Sequence, residues 1–404
     1  MYPPQIDPPA RRFLATCLLG LFALTTFVQA SPAQSSDLWR EKIERGQQLR
    51  SEERLDEAEK AFLEALEAAE QFGENDVRVG ACLNTLALFY HSRGRLDQAE
   101  ALYLRAVKTL DHAVGEDHPD IAKILSSLSA LYLTQERAKD ALPVAVRRLR
   151  IIEGSTGADD LSLVDPLNSL SLISFIEGDP GNAESYQLRS LRILEGHYAH
   201  GSLEIAAALS NLGVIYAADD NYNRAAQTLE QTIEIREAAG DVDSAAIARD
   251  MGHLAEAYAD RFQFAEAERL LESSLALRAK AIPEKHPEVA TALNNLGEIY
   301  RTQGMAKDAE TSFRRALDIW LSIAGPDHLE TAVASHNLAT ALRDQKRYGE
   351  AEQLFERSLR AFTAELGPTH PKVTQVSQSY EEARRLARIA AAAGPMFSGG
   401  LLAP

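Results

Sequence analysis

A leucine returns every 42 residues through most of this chain, at Leu86, Leu128, Leu170, Leu212, Leu254, Leu296 and Leu338. An alanine column keeps the same step from Ala99 to Ala351, with Ala58 standing 41 residues ahead of its first member. A third column, from Val107 through Leu149 and Ile233 to Leu359, does likewise. A fixed period of this length marks stacked supersecondary units, none of which can bury its apolar face alone. The chain therefore reads as seven in-register units preceded by an imperfect eighth over about 38–79.

Within a unit, apolar residues recur at i, i+3, i+4 and i+7 in two successive stretches, as in "ALNNLGEIYRTQG" (292–304) followed by "AKDAETSFRRALDIWLSIAG" (306–325). That spacing is helical and not strand-like. Turn signals such as Arg93-Gly94, Gly178-Asp179-Pro180 and Gln303-Gly304 separate the halves. The alanine near the start of each second helix lets paired helices approach to the ~8–10 Å that ridge packing allows. A large residue at Ala267 or Ala309 is expected to force them apart.

The string "NNLGEIYRTQGMAKDAETSFRRAL" (294–317) resembles a tetratricopeptide repeat, with Leu296, Gly297, Tyr300, Ala309, Phe313 and Ala316 at that motif's signature positions. The 42-residue period and the Gly-x-x-His-Pro linker are similar to the longer variety found in kinesin light chains and in many bacterial proteins. The resemblance covers about 38–392 and implies an all-α, right-handed superhelical solenoid of antiparallel helix pairs with a C-terminal capping helix. Three residues depart from the pattern: Ser174 replaces a tyrosine, Arg148 a small residue, and Pro143 sits early in a second helix.

The motif "GEDHPDIA" (115–122) and its relatives at 283–290, 325–332 and 367–374 raise the question of a histidine metal or catalytic site. The column through them reads His118, Asp160, Ser202, Ser244, His286, His328 and His370, with Pro119, Pro287 and Pro371 following three of the histidines. Asp and Ser are favoured helix N-caps and proline suits the first helical position, so the column is read as a cap. Neighbouring units lie two helix widths apart, on the order of 18–20 Å, whereas the ligands of one zinc ion stand within about 2.3 Å of it.

His197 and His200 have i, i+3 spacing but no cysteine or carboxylate pair with them, and read as surface residues near a helix end. Glycine-rich phosphate loops, His-Glu-x-x-His and Gly-x-Ser-x-Gly are absent from the sequence. Cys82 lies among apolar residues and reads as core. No catalytic residue, cofactor or metal is expected, and the chain is read as a binding scaffold and not an enzyme, the alternative being a structural subunit of an envelope assembly or a self-associating solenoid. Its formal charge of −17 repels phosphate backbones, which argues against a nucleic-acid partner.

Arg11-Arg12, the apolar run "FLATCLLGLFALTTFV" (13–28) and Val28-Gln29-Ala30 before Ser31 have the three parts of a Sec-type secretory leader. Cleavage is expected after Ala30, with the product periplasmic or secreted. An uncleaved anchor is the alternative, and would be the chain's only membrane association; sixteen apolar residues fall short of the ~20 a span needs. Cys17 stands at the start of the apolar run, unlike a lipoprotein cysteine, and "RRFL" lacks the twin-arginine spacer. The expected organisation is a leader over 1–30, a linker over 31–37, eight repeats over 38–372, a capping helix over 373–393 and a flexible tail over 394–404. Both ends of the array look capped, and a monomer is expected.

The resemblance also implies a ligand wall on the first helices, at positions two before, two after and five to six after the signature leucine. On this chain those positions give Asn84, His91, Asn168, Leu172, Phe175, Val214, Asn294, Glu298, Arg301, His336 and Arg343, with Glu256, Asp260 and Asp344 among their neighbours. The implied partner is a protein or peptide with hydrophobic anchors flanked by polar groups. Basic residues that hold acidic peptides in the kinesin relatives are represented here by Arg301 and Arg343 alone. Leu172, Phe175 and Ile176 have a competing reading, as packing against an adjacent helix.

Overall fold

The computed structural model describes residues 37–240 and 244–392, and the expected leader, nearly all of the linker and the tail lie outside them. The described residues form helices joined by turns, without strands, in two compact units, one ending at His200 and one beginning at Gly201.

The first unit holds four helix pairs: α1 (Leu38–Ser51) with α2 (Leu55–Glu70), α3 (Val77–Ser92) with α4 (Leu96–Val114), α5 (Pro119–Thr134) with α6 (Ala138–Thr156), and α7 (Val164–Ile176) with α8 (Pro180–His197). A short 3₁₀ turn, Leu161–Leu163, leads into α7. The second unit pairs α9 (Leu203–Ala218) with α10 (Tyr222–Ala238), α11 (Ser244–Asp260) with α12 (Phe264–Ala281), α13 (Pro287–Thr302) with α14 (Ala306–Ile323), and α15 (Leu329–Asp344) with α16 (Tyr348–Leu366). It closes on α17, Pro371–Ala392, which starts two residues before the expected 373 because His370 caps it.

Within each unit every helix packs on the next in sequence, and first helices of neighbouring pairs also touch, α1 on α3 and α3 on α5 in one unit, α9 on α11 and α11 on α13 in the other. Second helices approach one another less closely. The first helices therefore line the inner side of each unit and the second helices its outer side.

The turn inside every pair is built alike. The second of its three residues is left-handed, at φ 71° in Gly94, 78° in Gly304 and 60° in Phe262, and the next backbone N–H donates five residues back, as Arg95 N does to Tyr90 O at 2.9 Å. This is the helix-ending geometry in which glycine carries no steric cost.

The alanine column lies wholly buried from Ala58 to Ala351, where the two helices of each pair come closest. Contacts nearby are close. A Cβ added at Gly297 would stand 2.7 Å from the ring of Phe313, and one at Gly213 would stand 2.6 Å from Leu229. At the same register position the first helix carries Ala255 beside Leu271 and Ala339 beside Phe355.

Pairs are stitched by arginines at the turns. Arg95 donates to Glu59 at 2.8 Å, Arg137 to Glu100 at 2.7 Å and Arg347 to Glu310 at 2.7 Å, each reaching the second helix of the preceding pair. Arg95 and Arg137 also lie over Tyr90 and Tyr132. In the fourth pair Ser174 is buried in the tyrosine position, and Asp179 instead caps α8 by accepting from Asn182 N at 3.0 Å. Helix α6 continues through Pro143, whose exposed face leaves the unpaired carbonyl one turn earlier to water. Arg148 is buried and bonds Asp165 and Ser169.

Two cations in the second unit, Arg278 buried and Arg236 half-buried, stand where the repeat pattern places apolar side chains. Arg236 and Arg278 occupy a column held elsewhere by Leu110, Ile152, Leu194, Trp320 and Phe362. Arg236 Nε donates to Asp250 at 2.7 Å, and Ser210 Oγ donates to the other oxygen of the same carboxylate at 2.5 Å. Arg278 donates to Ala248 O at 2.8 Å and lies 3.5 Å from Glu288.

Candidate partner-binding wall

The recurrent histidines are helix caps. The Nδ1 atom of His118 accepts from Asp120 N at 3.3 Å, that of His286 from Glu288 N at 3.3 Å, that of His328 from Glu330 N at 3.2 Å, and that of His370 from Lys372 N at 3.2 Å. Asp160 and Ser202 cap the same way, at 2.8 and 3.3 Å. Each acceptor satisfies one of the free N–H groups of a first turn. The side chain of Ser244 lies outside the described residues. The Nδ1 atom of His197 lies 2.8 Å from Ile193 O, and among the described residues no three His, Cys, Asp or Glu side chains converge as metal ligands do. Burial pushes the Cys82 thiol up to about 12, which keeps it protonated and unreactive.

The inner helices place the wall positions on one side because residues two before, two after and five after the leucine stand at i, i+4 and i+7 of one another. In the first unit Asn84, His91, Asn168, Leu172 and Phe175 are all half-buried. Asn84 Oδ1 and Asn168 Oδ1, 84 residues apart in the same column, are screened from solvent and accept no hydrogen bond. The ring of His91 meets Tyr103 edge-on at 6.3 Å, and burial lowers its pKa. Ile176 packs against the core, as its competing reading has it.

In the second unit Val214 is half-buried, and the polar wall residues bond one another. Asn294 Oδ1 accepts from Asn337 at 2.9 Å, and Glu256 accepts from Asn295 at 2.6 Å, so each amide spans two neighbouring first helices. Arg301 Nε donates to Glu298 at 3.0 Å, and Arg301 also reaches Asp344 at 3.5 Å. Arg343 bonds Glu382 at 3.2 Å and the second oxygen of Asp344 at 3.5 Å. The two wall arginines are thus compensated by carboxylates from α13, α15 and α17. This was invisible in sequence because Glu382 stands 39 residues from Arg343.

Asp260 is raised above the usual carboxylate range by burial and by the charges of Glu256 and Asp220. His336 is driven the other way, down to about 4, by burial and by the positive charges of Lys372 and Arg343, and its Nδ1 is screened without a partner. The wall is apolar with unmet acceptors in the first unit and a compensated charge network in the second.

The sequence matches the family model described as Tetratricopeptide repeat over residues 41–112, 81–154, 162–238, 243–322, 288–364 and 330–393. Solved structures resemble the chain as well. A putative kinesin light chain from Podosopora anserina with nearly identical TPR-like repeats is 22% identical, covers 50% of this chain and 96% of its own, and has a TM-score of 0.45. BtubC (BKLC) from P. vanneervenii is 22% identical, with 58% and 93% covered and a TM-score of 0.50. The apo form of RapI is 12% identical, with 87% and 99% covered and a TM-score of 0.54. No curated protein matches the chain.

Proposed function

The chain belongs to the tetratricopeptide repeat family, and from that premise we propose that it is a non-enzymatic, exported scaffold that holds a protein or peptide partner along the wall of its first helices. Proteins built on this repeat mediate protein–protein interaction, which sets the class of ligand. The observation that carries the reading is the pair of unmet acceptors, Asn84 Oδ1 and Asn168 Oδ1, held at the same register position beside half-buried Leu172 and Phe175. A screened acceptor without a donor costs about 1–3 kcal/mol, and turning the carboxamide outward to accept from a peptide N–H laid along the wall removes that cost. The aliphatic and aromatic side chains beside them supply the anchoring contacts.

In the second unit the compensated arginines favour a ligand held by hydrogen bonds and salt-sensitive exchange of ion pairs over a strongly acidic peptide. Export rests on the leader over 1–30, and a mature protein from the periplasm or medium beginning at Ser31 is the expected product.

The test is a paired pull-down from envelope extract with the purified protein and two folded variants, Asn84→Ala with Asn168→Ala, and Arg301→Glu with Arg343→Glu. A protein retained by the parent and lost by either variant supports the scaffold reading and locates its wall. Equal recovery on all three removes the wall from the account.

A further inference from the structure

On α3, α5 and α7 the wall positions, taken two before, two after, five after and six after each signature leucine, hold twelve residues, and none is Asp, Glu, Lys or Arg. On α11, α13 and α15 the same register carries six charges in twelve, Glu256, Asp260, Glu298, Arg301, Arg343 and Asp344. The fold therefore accepts charge at these positions. Its absence from the first unit's wall, in a chain that is 25% charged, is not a requirement of packing.

The neutral stretch is open to contact. Leu88 is 39% exposed, and Ala130, Leu133, Leu172 and Phe175 are half-buried. His91, the one titratable side chain among the twelve, has its pKa lowered by burial and stays uncharged at neutral pH. The charges one turn before the wall on α5 and α7 already have partners, since Lys123 bonds Asp120 at 2.9 Å and Asp165 bonds Arg148. Exposed charge begins at the rim, with Arg93 and Glu177 just past the ends of α3 and α7.

We propose that the wall of the first unit takes a partner segment without charged side chains. The inference rests on the wall reading above and adds the chemistry of its ligand. A carboxylate, ammonium or guanidinium laid on this surface gives up hydration and meets no opposite charge, so it is rejected. Uncharged polar groups lose far less, and acceptors stand ready for them at Asn84 and Asn168. Aliphatic and aromatic groups gain contact with Leu88, Leu133 and Leu172. Selectivity comes from exclusion as much as from attraction.

The experiment selects dodecapeptides from a random display library on the purified full chain, and identifies those that lose binding to Leu88→Glu or to Leu172→Glu. Alanine scanning of such a peptide is expected to define a contacted stretch free of Asp, Glu, Lys and Arg. Its binding is expected to change less than about twofold between about 0.05 and 0.5 M salt. One lysine at the centre of that stretch weakens binding at least about tenfold, whereas methionine, of similar length, does not. Leu88→Glu recovers part of the loss caused by lysine. Circular dichroism checks that both variants fold, and Leu88→Glu, at the more exposed site, decides alone should Leu172→Glu unfold. Wall-dependent peptides that carry charge across the contacted stretch, tolerate the lysine or lose binding steeply with salt overturn this inference and leave the scaffold reading in place. Failure to select any wall-dependent peptide overturns both.

Discussion

The imidazole of His336 meets the ring of Phe355 edge-on, with centroids 5.1 Å apart and planes at 65°. It sits on the inner wall of the second unit and is held neutral down to about pH 4 by burial, with Lys372 and Arg343 adding repulsion. As pH falls below the ordinary histidine value, the unfolded chain takes up a proton that the folded chain refuses. The contribution is therefore complete above about pH 6.5 and lost progressively toward pH 4, amounting to at most about 3 kcal/mol. Denaturant titrations of the parent and of His336→Phe between pH 4 and 7 should diverge by that amount, the variant being the flatter.

Asp250 is 1% exposed and neutralises Arg236 across the contact between α10 and α11. Asp250→Ala leaves a buried guanidinium without its anion and should cost about 3–5 kcal/mol in denaturant unfolding. One period earlier the sequence carries Ala208 at the position of Asp250 and Leu194 at that of Arg236. Asp250→Ala with Arg236→Leu should therefore recover most of the loss, and a double variant as weak as the single one would contradict this account.

Gly297 admits the ring of Phe313 so closely that a methyl group has no room. Gly297→Ala should lower stability by about 1–3 kcal/mol, seen as a fall in thermal midpoint. Adding Phe313→Leu reproduces the Ala255 and Leu271 pairing one unit earlier and should return part of the loss.

The histidine caps predict a graded series at one position. His286→Ala removes the acceptor for Glu288 N and should cost about 1 kcal/mol, while His286→Asp keeps an acceptor and should cost little. Amide exchange at Glu288 reads the difference directly.

Period carried most of the fold. The alanine column, the turn glycines and the caps recur at fixed steps, so one good copy interprets the others, and His118 could be read through Asp160 and Ser202. Side chains that break their column were harder. Arg236 and Arg278 stand among Leu, Ile, Trp and Phe, and only the folded chain shows the anions that meet them on the next first helix. The wall was legible as positions and not as chemistry, because Arg301 and Arg343 take their partners from Asp344 and Glu382, whole units away.

The turn arginines bear on how such a chain changes length. Arg95, Arg137 and Arg347 each address a glutamate one unit back, at separations of 36, 37 and 37 residues. Loss or duplication of one whole period between two of them hands the surviving arginine a neighbour from another copy at the same address. An edit of any other length shifts cap, alanine and turn together and leaves that address blank. The array can therefore grow or shrink by recombination in whole periods while each junction reuses contacts that already work, and its reach along a partner becomes a quantity counted in units.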